Sequence, residues 1–241
     1  MKIFSVPKGD FIKIANVFLR EAGVFIASVF ILFFDGVYFN KAFFDVQTFL
    51  NILMISAFII MFYRAVSRIK ELMLYAVILG FIGEYLFSKG LNMYSYRLQN
   101  IPLYVPFGHA VLFARVFRFS KASVVKKYKQ EIAQLFAILI AIFAVTYLVF
   151  YKDVFGFVMT IGVFLLFRKK HELQLFFYTM YILVAVLEIV GTGFGVWKWP
   201  NIAFGIFEVL PSNNPPSGIS LFYFLLNITC LFIYTKRHKV A

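Results

Sequence analysis

Glu84 closes the apolar run "YAVILGFIGE" and Glu188 closes "YILVAVLE". An acid inside such a run is costly, and it marks a partner, a water-filled cavity or a proton path. A neutral glutamic acid can donate a proton, and an ionised one can stabilise positive charge. The plainer alternative for each is a carboxylate that snorkels to an interface or caps a neighbouring helix. Beyond each acid lies an aromatic-x-aromatic triplet, Tyr94-Ser95-Tyr96 and Trp197-Lys198-Trp199, and the second holds the only two tryptophans of the chain. Extended backbone alternates its side chains, so both rings of a triplet share one side. They either anchor helices at the headgroup level or offer π-faces to a cation, a polyene or a sterol-like body.

Other candidates are fewer. His109 follows Pro106-Phe107-Gly108 and is either an acid/base group or a hydrogen-bonded packing residue. Asn213 and Asn214 lie in "SNNPPSG", a rigid turn whose prolines precede a helix start; they either face a polar headgroup or belong to the turn. With His109, Glu84 and Glu188 form the candidate catalytic set. Tyr94, Tyr96, Trp197, Trp199, Asn213 and Asn214 form the candidate binding set. His109, His171 and His238 are scattered without metal-ligand spacing, so no metal and no redox cofactor is expected. Gly191, Gly193 and Gly195 do not form a nucleotide loop, because that loop needs a strand before it and a helix after it. Here a helix precedes, and the glycines suit a helix end or a close approach. Asn227-Ile228-Thr229 fits a glycosylation pattern but lies in an apolar run, where it should be silent.

The elements that position these residues follow from composition. Of 241 residues, 62% are hydrophobic and 15% charged, against about half and about a quarter in soluble domains. Apolar runs near the ~20 residues needed to cross a bilayer recur along the chain. In hydrocarbon they must be helices, since backbone groups can find partners only within the segment. The expected fold is an all-α polytopic bundle of eight spans, near 22–39, 47–63, 71–88, 103–117, 132–151, 154–167, 173–191 and 217–235. The net charge of +13 does not imply nucleic acid, because the basic residues cluster between the apolar runs. Lys2 to Arg20, Arg64 to Lys70, Arg115 to Lys129, Arg168 to Lys170 and Lys236 to Lys239 all fall on one side of an eight-span topology. The positive-inside rule makes that side cytoplasmic, with both termini there. The expected location is the plasma membrane, a bacterial inner membrane. The N-terminus reads as a retained amphipathic lead-in, and the lone Cys230 permits no intrachain disulfide. The basic linker Arg115 to Glu131 is expected to meet anionic headgroups.

The two acid-bearing stretches also match one another. Glu84 aligns with Glu188, Tyr94-Ser-Tyr96 with Trp197-Lys-Trp199, and Pro106-Phe-Gly108 with Pro216-Ser-Gly218. Each half reads as a helix with an acid near its end, an aromatic pair, a loop, Pro-x-Gly and a helix. The implied organisation is a parallel tandem repeat of four spans, residues 1–130 and 131–241, that brings both glutamates toward one central cavity.

The stretch from Glu188 through Gly191-Thr-Gly-Phe-Gly-Val-Trp-Lys-Trp199 and the prolines beyond it resembles membrane carotenoid-modifying proteins. These are the small-subunit lycopene cyclases and the bisanhydrobacterioruberin hydratases. The likeness covers about 40 residues. It lacks the Pro-x-Glu-Glu motif of the cyclases, and the first half lacks the glycines. The resemblance implies proton-initiated alkene chemistry on an isoprenoid, with Glu188, and Glu84 as its repeat mate, as proton donors. The leading expectation is thus an integral membrane enzyme acting by acid–base chemistry on a lipidic, carotenoid-like substrate. The alternatives are a proton-coupled transporter, a lipid-binding protein or a structural partner of another membrane protein. Membrane lipids and a hydrophobic small molecule are the expected partners.

Overall fold

The structure is a computed structural model that describes residues 6–238. Lys2 and Lys239 of the charge pattern lie outside the described residues, as does Ala241. Helix α1 (Lys8–Asp35) starts after Pro7 and runs 28 residues, about 42 Å at 1.5 Å per residue. It stops at Gly36, where the chain turns extended, and a short α2 (Val37–Ala42) follows. Next come α3 (Gln47–Arg64) and α4 (Ser67–Glu84), the latter prolonged by a π-helical turn, Tyr85–Gly90. A two-residue strand β1 (Ser95–Tyr96) precedes α5 (Tyr104–Lys121), and α6 (Ser123–Lys127) links the halves. The second half holds α7 (Lys129–Tyr151), α8 (Val154–Phe167) and α9 (His171–Gly193). Strands β2 (Trp197–Lys198), β3 (Ile202–Ala203) and β4 (Phe207–Pro211) then lead to α10 (Ser220–His238).

The protein is all-α with small strands, but the count of eight spans needs correction. Among the described residues, 5 helices are long and apolar enough to cross a membrane: α1, α3, α4 with its π turn, α7 and α9. Helices also stand at the other three expected positions. The 14 residues of α8 are too short, and polar groups dilute the other two. In α5 these are His109, Arg115, Arg118 and Lys121; in α10 they are Asn227, Lys236 and Arg237. Protein rather than lipid surrounds much of α5, which buries His109, Phe113 and Phe117 among others. The first span is also misplaced at its end. Segment 22–39 crosses Gly36, where a Cβ would lie 2.9 Å from Phe194 Cβ. The end of α1 is therefore pressed against the end of α9, and Val37 N–H donates to the Phe194 carbonyl at 2.9 Å.

The core sits around α5 and α9. α5 packs on α4, α3 and α1, whereas α9 packs on α7 and α1. The halves interlock through α10 against α4 and α5 against α9. Gly83 permits the first of these contacts, since Leu226 of α10 fills the space beside it. Phe167, Phe177 and Phe224 form an aromatic cluster, with the first two rings stacked at 4.3 Å. The outward faces of α1, α3 and α7 carry exposed Phe30, Phe49, Ile52, Ile142 and Val149, as suits contact with hydrocarbon.

Buried acids pin the helix ends. Asp35 accepts from Arg97 at 2.7 Å, from the Tyr104 hydroxyl at 2.6 Å and from Gln47 at 3.2 Å. Asp153 caps α8 by accepting from Gly156 N–H, and it also accepts from the N–H groups of Asn213 and Ser217. A buried carboxylate needs such partners to offset lost hydration. At the opposite, basic end, Glu21 is paired with Arg115 at 3.1 Å.

Candidate functional site

The last turn of α4 presents Glu84. The π turn and loop beyond it reverse the chain, so that β1 brings the tyrosines back over the acid. The hydroxyls of Tyr94 and Tyr96 both donate to Glu84 Oε2, each at 2.6 Å. Burial first, and the Glu84 charge next, hold both phenols well above the usual tyrosine range, so they remain donors at neutral pH.

The second half repeats this plan with other chemistry. α9 presents Glu188, and the indole N–H groups of Trp197 and Trp199 donate to its Oε2 at 2.7 and 3.0 Å. The Tyr223 hydroxyl, from α10, donates to Oε1 at 3.1 Å. Two glycines make the return possible. Gly195 adopts φ +71°, a left-handed conformation that glycine enters without strain. At Gly191 a Cβ would run into the Trp197 indole.

The triplets pair with each other. β1 and β2 are antiparallel, with Ser95 opposite Lys198 and Tyr96 opposite Trp197. The Tyr94 and Trp199 rings lie 4.5 Å apart, and the Tyr96 and Trp197 rings 6.0 Å. Four rings from two halves thus stand together, each donating to one of two buried carboxylates. Among the described residues neither Glu84 nor Glu188 forms an ion pair with a lysine or arginine. Their partners are neutral donors.

His109 belongs to the same neighbourhood. Its Nε2 lies 2.9 Å from Asn227 Oδ1 on α10, and its ring stacks on Tyr223 at 5.5 Å. A cavity of ≈ 600 Å³, counted out to its open mouth, is lined by Glu188, His109, Trp197 and Tyr223. Apolar side chains complete it, including Ile31, Leu32, Met54, Leu112 and Val184. Glu84, Tyr94, Tyr96 and Trp199 stand outside this lining.

The hydrogen-bond pattern limits where a proton can sit. Indole N–H is donor only, so Glu188 Oε2, facing two indoles, must accept. A proton on Glu188 therefore resides on Oε1, beside a phenol that can donate or accept. The edge of the acid next to Tyr223 is the edge that can give or take a proton.

The asparagines have other places. Asn214 Oδ1 accepts from the Trp199 backbone N–H at 2.9 Å, and Asn213 N–H donates to Asp153 at 3.1 Å. Neither lines the cavity; they fix the loop that carries Trp199. Sequence reasoning missed Tyr223 and Asn227 as site residues. Tyr223 is one tyrosine of fourteen and carries no signal. Asn227 had one, as a polar residue inside an apolar run, and its Nδ2 is buried without a partner. Comparison with protein-family models, curated proteins and solved structures finds no match.

Proposed function

We propose that this chain is an integral membrane enzyme that performs acid–base chemistry on an unsaturated lipid, an isoprenoid or carotenoid-like molecule. One observation carries the reading. A buried carboxylate, held by three neutral donors, lines an apolar cavity with its proton-bearing edge beside Tyr223. In this reading Glu188 transfers the Oε1 proton to one carbon of a substrate double bond, and the other carbon becomes cationic. The π-faces of Trp197 and Tyr223 lower the energy of that cation. Loss of a neighbouring proton to the Glu188 carboxylate or to His109 completes an isomerisation or cyclisation; in a hydration, water adds to the cation and gives its extra proton to the Glu188 carboxylate or to His109. Glu84 acts at one remove, by holding Tyr94 and Tyr96 and through them the ring set. The chain needs no redox cofactor for these steps. The bundle is taken to lie in a bacterial plasma membrane as eight helical segments, in two fourfold repeats, with the basic end and both termini cytoplasmic. The reciprocal packing of α10 on α4 and α5 on α9 supports the duplication.

A second reading is a proton-coupled transporter or lipid-binding protein, and one feature favours it. A separate recess lined by Ser88, Lys89, Asn92, Gln99 and Lys198 reaches Tyr94 and Trp199. The ring set then lies between two recesses. Mass spectrometry of lipid co-purified with the protein, together with the lipid profile of deletion cells, separates the readings. An isoprenoid whose bonds or hydration state change on deletion supports the enzyme. A chemically unaltered pool with a flux defect removes it in favour of transport.

A further inference from the structure

The basic end of the bundle holds a second cavity, ≈ 1170 Å³ counted out to its mouth. It lies far from the carboxylates. Glu172, on its wall, is 16 residues before Glu188 on the same helix, about 24 Å at 1.5 Å per residue. Its rim is cationic, with Arg68, Lys121, Lys126 and Lys129. Lys129 is paired with Glu172. Among the described residues the other three have no carboxylate partner. Two of them instead share one aromatic ring. The Arg68 guanidinium is 5.2 Å and the Lys121 ammonium 5.4 Å from the Phe117 centroid. Burial first, then the charges of Arg68 and Lys126, push the Lys121 ammonium below its ordinary range. Four cations against the single Glu172 carboxylate of the lining raise the local potential and favour an anion.

The rest of the wall is apolar. Phe176 and Leu231 line it, and so does Phe232, which is 58% exposed on the outer face of α10. A small inorganic anion would use the rim and leave this wall idle, whereas an amphiphile uses both. We propose that this recess binds the phosphate head of a membrane amphiphile on Arg68, Lys121 and Lys126, with its chain along the Phe176–Phe232 wall. The chemistry suits a terminal phosphate monoester, whether of phosphatidate or of a prenyl phosphate.

The test uses the full chain in a neutral detergent, titrated with dioleoyl phosphatidate, farnesyl phosphate and dioleoyl phosphatidylcholine and read by native mass spectrometry. The expected result is saturable one-to-one binding of the two phosphate monoesters. Arg68→Gln and Lys121→Gln should each weaken it about tenfold or more, the scale of one lost charge-assisted contact. Arg68→Lys should restore much of the loss. Lys127→Gln should change nothing, because Lys127 pairs with Asp10 outside the recess. Should Arg68→Gln elute as aggregate, Lys126→Gln on the exposed rim replaces it. Tighter binding of farnesyl phosphate assigns a prenyl source, and tighter binding of phosphatidate a glycerolipid source. Non-saturable binding overturns the site, as does equal binding of phosphatidylcholine or an equal loss in Lys127→Gln. This readout requires no turnover and is independent of Glu188.

Discussion

Glu188→Gln separates a proton-transferring acid from one that merely holds rings. The amide oxygen can take the place of Oε2 and accept from both indoles, now at 2.7 and 3.0 Å. The amide NH₂ then faces Tyr223, 3.1 Å from the former Oε1, and the phenol turns from donor to acceptor. All three contacts survive with neutral groups. A protonated Glu188 already makes neutral hydrogen bonds in this same pattern, so folding should change by less than ~1 kcal/mol. Catalysis should fall much further, because a positioned acid/base contributes ~10²–10⁴-fold and an amide has no proton to give. The assay pairs size-exclusion profiles and thermal melts of purified protein with product quantification by mass spectrometry. Glu84→Gln, outside the cavity lining, should retain more activity than Glu188→Gln. Parental activity in both glutamine variants would refute the reasoning and leave the acids with a structural task.

Further outcomes concern the supports of the site. Gly191→Ala should push the Trp197 indole off Glu188, seen as a shifted tryptophan emission and reduced activity in protein that still inserts; an unchanged spectrum would contradict the close approach. Asp35→Asn leaves Arg97 with weaker compensation and should destabilise the bundle by ~3–5 kcal/mol, the scale of a broken buried pair, measured as a lowered melting midpoint; an unchanged midpoint would oppose this. Reporters fused after the last helix and inserted near Ile206 should give opposite sidedness, and equal signals would oppose the proposed topology.

Much of this was legible in the sequence. The helices follow the apolar runs closely: α8 occupies 154–167 as expected, and α3, α7 and α9 differ by a few residues at their ends. The aromatic triplets announced extended backbone by their spacing, and both rings of each do meet one acid. What the sequence concealed is tertiary. Asp35 falls inside the expected first span, 22–39, yet three partners spread over α3, α5 and the loop between α4 and α5 make it a helix terminator. Asn213 and Asn214 stand in the binding set with the turn as the alternative, and their hydrogen bonds, inward to Asp153 and Trp199, favour the turn. The apolar content of α5 and α10 predicts full spans, but of the polar residues that dilute them only His109 and Asn227 are covered by other helices, whereas Arg118, Lys121, Lys236 and Arg237 are exposed near the helix ends. Tyr223 completes the Glu188 site from a helix whose register against α9 no local pattern encodes.

The two-residue ribbon between β1 and β2 has a consequence for biogenesis. Its strands are about a hundred residues apart in sequence. During synthesis Tyr94 and Tyr96 emerge long before Trp197 exists, so the Ser95–Tyr96 backbone waits as an open edge. Glu84 can gather its own phenols at that stage, but the ring set gains its register only after α9 and β2 have been synthesised. Assembly of the ring set is thereby late, and a chain stalled after α9 would lack Trp197, Tyr223 and the α10 face that packs on α4.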